Sequence, residues 1–163
     1  MAHTTSLRDD ILTSGERYLT TPREPIAQAQ MHFRVPGRIV PITYDGPALP
    51  KWVEPTIRSL EERWAGVDGW DGYDGKPTDL RCATQLLNYL LLVLRNDSTP
   101  PLVTPLADGG LQAEWYKANV DLEIVVPANE PARYYFCDPS LGSDEASELT
   151  SDFSRLRKLV ARF

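Results

Sequence analysis

Between Leu111 and Val126 apolar and polar side chains alternate in two runs: Leu111, Ala113 and Trp115 against Gln112, Glu114 and Tyr116, then Val120, Leu122, Ile124 and Val126 against Asp121 and Glu123. A period of two sends successive side chains to opposite faces of a strand, so this stretch predicts an antiparallel pair with one covered face. With Lys117–Val120 as the hairpin loop, Glu114 falls opposite Glu123, Trp115 opposite Leu122 and Ala113 opposite Ile124. Leu102–Leu106 precedes the pair as a weak, Pro-containing strand, with Asp108-Gly109-Gly110 as a turn, and Arg133–Cys137 follows as a further strand.

The covered face needs something apolar to pack on. Asp79–Arg95 supplies it: Leu80, Ala83, Leu86, Leu87, Leu90, Leu91 and Leu94 recur at helical spacing, and Leu92 and Val93 make the helix apolar nearly all round. Thr78 is placed to cap it. A shorter helix is expected at Glu54–Trp64, with Pro55 in its first turn. The tail reads as an amphipathic helix from Ser143 or Asp144, with acids in its first turns and Arg155, Arg157, Lys158 and Arg162 in its last. The fold class is therefore α+β: an antiparallel meander of three to four strands packed on a core helix, with an amphipathic C-terminal helix.

A chain of 163 residues fits one such domain. We read residues 37–163 as that domain and residues 1–36 as a poorly ordered arm, because Thr20–Gln30 is polar and Pro-punctuated and offers little surface to offset ordering entropy. Within the arm, Leu7, Ile11, Leu12, Tyr18 and Leu19 suit a short amphipathic helix over Ser6–Leu19. Arg38–Tyr44 is β-compatible, but Pro41 confines it to a sheet edge.

Net charge of −6 argues against a general affinity for nucleic acid or anionic lipid and favours a protein partner with a basic surface. The two cysteines, Cys82 and Cys137, sit in a predicted helix and a predicted strand and are read as reduced and buried. The longest apolar run, Leu90–Leu94, is far short of a membrane span, and no signal peptide is visible, so the expected compartment is the cytoplasm.

Three constellations carry chemistry in principle. Asp68, Asp71 and Asp74 recur every third residue in a glycine-rich loop, a conceivable calcium cradle that lacks the EF-hand pattern; ordinary turn chemistry is the preferred account, with Trp70 and Tyr73 filling the core, and both are also candidate partner contacts. Glu114 opposite Glu123, with Asp121 nearby, calls for relief by a base such as Arg133, by a cation, or by a raised pKa that suits proton transfer. Arg155–Arg162 with Trp115, Tyr116, Tyr134 and Tyr135 suggests nucleic acid, against the surrounding acids. His3 and His32 both lie in the arm, and no nucleotide, phosphate or acyl-transfer motif is present, so no cofactor is expected.

Two stretches, Gly69-Trp-Asp-Gly-Tyr-Asp-Gly75 before Pro77 and Ala107-Asp-Gly-Gly-Leu-Gln-Ala-Glu-Trp115 before Val120-Asp-Leu-Glu-Ile-Val, resemble a group of small uncharacterised bacterial and mobile-element proteins. The likeness spans about Trp64 to Cys137 and implies a prokaryotic or phage origin, with no activity attached. The expectation is a non-enzymatic protein-binding module, an antitoxin, immunity protein or accessory subunit of a defence or counter-defence system, contacting its partner through Leu7, Ile11, Tyr18, Phe33, Trp70 and Tyr73. The alternative is a metal-dependent hydrolase using Glu114, Glu123 and Asp121.

Overall fold

The computed structural model describes residues 27–163. Its first element is β1 (Gln28–Val35), which pairs antiparallel with β2 (Arg38–Asp45) across a Pro36-Gly37 turn. Proline sets the first turn residue, and Gly37 takes the positive φ of 74° that the second demands. Gln28–Val35, within the segment expected as a poorly ordered arm through residue 36, is thus a strand. The alternation of Ala29, Met31, Phe33 and Val35 escaped notice because it is short and polar residues flank it; it faces Tyr44, Ile42 and Val40 across the ladder. Phe33 is 1% exposed and stacks edge-on against Trp64, its ring centroid 5.4 Å away.

Helix α1 (Val53–Glu62) buries Val53, Ile57 and Leu60, and α2 (Leu80–Val93) buries Cys82, Ala83, Leu86, Leu90 and Val93. Asp79, not Thr78, caps α2: its carboxylate accepts the Arg81 N–H at 2.8 Å. The Thr78 hydroxyl instead accepts the Ala65 N–H.

The meander has five strands: β3 (Leu102–Pro105), β4 (Leu111–Lys117), β5 (Val120–Val126), β6 (Arg133–Asp138) and β7 (Ser143–Glu148), all antiparallel and in sequence order. Glu114 pairs with Glu123, Trp115 with Leu122 and Ala113 with Ile124, the expected register, closed by Ala118 and Asn119 at positive φ. α1 and α2 pack on one face of the sheet, α1 against β3 and α2 against β4 and β5, closing a core that includes Val103, Leu111, Leu122, Ile124 and Phe136.

The expected helix from Ser143 is corrected to a strand. Gly142 at φ 59° reverses the chain, and Ser143–Glu148 pairs along β6; the acids assigned to a helical first turn stand on this strand. The helix proper, α3 (Ser154–Val160), starts after Asp152 accepts the Ser154 N–H and buries Leu156, Leu159 and Val160. Arg155 holds Glu145 through two hydrogen bonds of 2.9 and 3.0 Å, Arg157 donates to the Leu92 carbonyl, and Arg162 pairs with the buried Asp138. Those arginines are thus engaged within the fold.

Both rims of the sheet are finished by specific groups. On β3 the outward Val103 N–H is taken by the Ser59 hydroxyl of α1, and Pro105 has no N–H to offer. On the other rim, β7 carries Asp144, Glu145 and Glu148.

The two motif stretches meet. Lys76 N–H donates to the Ala107 carbonyl and Asp79 N–H to the Gly109 carbonyl, both at 2.8 Å, while Trp70 donates its indole N–H to the Lys76 carbonyl. Asp108 completes the junction, accepting from Gly110 N–H at 2.8 Å and Ala128 N–H at 2.9 Å.

Candidate functional site

A pleated sheet packed on helices by one face leaves the other to be read from its register. Three rows cross the open face: Thr104, Gln112, Val125, Arg133 and Glu148; Leu102, Glu114, Glu123, Tyr135 and Ala146; and Tyr116, Asp121, Cys137 and Asp144. No helix among the described residues packs on this side: Leu102 is 41%, Tyr116 68% and Tyr135 39% exposed. Exposed large side chains are interleaved with carboxylates across this uncovered face.

Its electrostatics are one-sided. Glu114, Asp121, Glu123, Asp144 and Glu148 face Arg133 as the only cation in the rows, and Arg133 gives its Nη1 to Glu130 at 2.8 Å. Arg133 also lies over the Tyr135 ring, 5.8 Å from its centroid. It stands one row away from the glutamate pair, so the relief expected from it does not come. Glu114 receives instead a 3.4 Å contact from the Gln112 amide. Partial burial, then the charges of Glu114 and Asp121, push the Glu123 carboxyl above its ordinary pKa.

That shift has a consequence for stability. A carboxylate whose folded pKa is raised binds its proton more tightly when folded, so its ionisation opposes folding at neutral pH and the penalty vanishes as pH falls below the ordinary glutamate range. Glu123→Gln is expected to stabilise the protein by about 0.5 kcal/mol at pH 7, solvent screening keeping the gain small. Urea unfolding from pH 7 down to pH 3 checks this: the variant's advantage should disappear at the acid end.

The other sequence candidates are scattered. Leu7, Ile11 and Tyr18 lie outside the described residues. Phe33 is corrected from a partner contact to a core residue, its side chain closed between β1 and Trp64. Trp70 is half-buried in the motif junction, whereas Tyr73 is 84% exposed and fills no core. Asp71 shapes its own loop, accepting from the Tyr73 and Gly75 N–H groups at 2.9 and 3.1 Å; Asp68 meets Lys76 at 3.4 Å and Asp74 is exposed. Among the described residues no three His, Cys, Asp or Glu side chains converge as a metal-binding group. Cys82 is buried and Cys137 half-buried, both as free thiols, and burial raises the Cys82 pKa. No helix of the described residues is long and apolar enough to cross a membrane.

Leu102, Asp144 and Glu148 complete the face and were missed in the sequence, whereas Tyr135 beside them was offered as a base-stacking aromatic. The signal was the alternation of Arg133–Cys137 carried one strand further, which the acids of Ser143–Glu148 disguised as a helical first turn. No protein-family model, curated protein or solved structure matches the chain.

Proposed function

We propose that the protein is a non-enzymatic protein-binding module whose open sheet face receives a partner with a basic surface. The observation that carries this reading is the row Leu102, Glu114, Glu123, Tyr135, with Tyr116 and Asp121 beside it: large exposed anchors among carboxylates that form no salt bridge among the described residues. A partner's lysines and arginines would relieve the glutamate pair, and its apolar side chains would cover Tyr116 and Tyr135. An antitoxin, immunity protein or accessory subunit of prokaryotic or phage origin has this economy: no reaction of its own, and a face shaped for one partner.

The test is charge reversal with the fold held constant. Wild-type protein and the Glu114→Lys, Asp121→Lys, Glu123→Lys triple variant, matched by circular dichroism, are used to capture partners from native extract of the source cell. Recovery of a specific partner should fall at least ~10-fold for the variant, as close charge pairs weigh heavily on association. Equal recovery would remove the face from the reading.

The Glu114–Glu123 apposition also supports a second reading, metal-dependent hydrolysis at these carboxylates with Asp121. Calorimetric titration with Mg²⁺, Mn²⁺ and Ca²⁺ separates the two: saturable heat lost in Glu123→Gln would favour the metal, and none at millimolar ion would leave the binding face alone.

A further inference from the structure

A second surface is built on the opposite end of the core. α2 buries Leu86 and Leu90 completely, yet Leu87 and Leu91, one position on, are half covered. They form one wall of a largely apolar groove whose other wall is Val40 and Ile42 of β2, with a cleft of about 190 Å³ edged by Thr84 and Asn88; beyond Ile42 it narrows to a small apolar recess of about 10 Å³ beside Tyr44. Trp52 lines the end nearest Tyr44. Its side chain is 1% exposed, and among the described residues its indole N–H has no acceptor. A buried indole N–H nearly always has one.

We propose that this groove is the docking site of residues 6–19 of the same chain. Ala29 pairs with Tyr44, so the chain enters β1 beside the groove, at the Trp52 end. Eight residues, 20–27, can span up to roughly 26 Å when extended, and fourteen residues wound as the helix that the spacing of Ser6–Leu19 predicts would measure about 21 Å, so the whole groove would be within reach. Leu7, Ile11 and Tyr18 recur at helical spacing, the pattern of an amphipathic helix laid in a groove. The carbonyls that such a helix leaves free in its last turn are acceptors of the kind Trp52 lacks. The groove shares no residue with the open sheet face, so its occupancy is independent of what that face binds.

Hydrogen exchange on the full-length chain, followed by mass spectrometry, tests the assignment. Peptides covering residues 6–19 should exchange at least ~10-fold more slowly than an unstructured reference of the same sequence. Leu91→Asp in the groove and Ile11→Asp in the segment should each abolish that protection while peptides of Leu111–Val126 stay protected. Ile11→Asp leaves every described core residue unchanged, so that variant stays informative even if Leu91→Asp unfolds. Unprotected residues 6–19 in the wild type, or protection that survives Ile11→Asp, would overturn the proposal. So would protection that grows with protein concentration alongside a dimer in light scattering, since the occupant would then be a second copy.

Discussion

Gly110→Ala should lower stability by about 4 kcal/mol, a fall in melting temperature on the order of 10 °C for a domain of this size. An added Cβ would stand 2.4 Å from the Val126 carbonyl oxygen and 2.8 Å from Pro127 Cα, both backbone atoms that cannot swing aside. It would also press on the Asp108 carboxylate, at 2.9 Å, and so disturb the hydrogen bonds that tie β4 to the end of β5. Gly37→Ala is the control. It too places alanine where glycine stood, at a φ of 74° but with nothing within 4 Å, and should cost only about 1 kcal/mol. Urea midpoints of the two variants read the difference; a similar cost for both would mean that the Asp108-Gly109-Gly110 turn relaxes freely and that the motif junction is not rigid.

Leu86→Ala should cost about 3 kcal/mol through the cavity it leaves between α2 and the sheet. Its side chain is fully buried in the cluster with Leu90, Leu122 and Ile124. The half-covered Leu87 offers the comparison: truncated to alanine it should lose about half as much in the isolated domain, since its removal opens onto an existing groove. Chemical denaturation of both, with circular dichroism as readout, checks the ranking. Equal losses would place Leu87 in a closed core and remove the groove.

The meander was legible because burial on one face imposes a strict period. Once Lys117–Val120 was taken as the loop, Glu114 had to meet Glu123. The helices were legible in Leu80–Val93 for the complementary reason, a period near 3.6 with no interruption. The two misread strands fail in a common way. In β1 the apolar alternation is short and only Phe33 of it is fully buried, and in β7 only Glu145, Ser147 and Ser143 face inward, so one carries a weak strand signal and the other none; each is held by its neighbour's ladder. The glycine motifs were visible but not their meeting, since contacts from Lys76 to Ala107 and Asp79 to Gly109 join segments some thirty residues apart. Of the open face, the glutamate pair follows from register; the exposure of Leu102 does not, because it depends on which side the helices choose.

The Ser59 hydroxyl takes one outward donor of β3, and the carboxylates of β7 set like charge along the other rim of the sheet. An acidic strand is therefore disfavoured as an extension there, and two copies meeting by their β7 rims would bring Asp144, Glu145 and Glu148 face to face. That repulsion is a matter of charge, so added salt should weaken it.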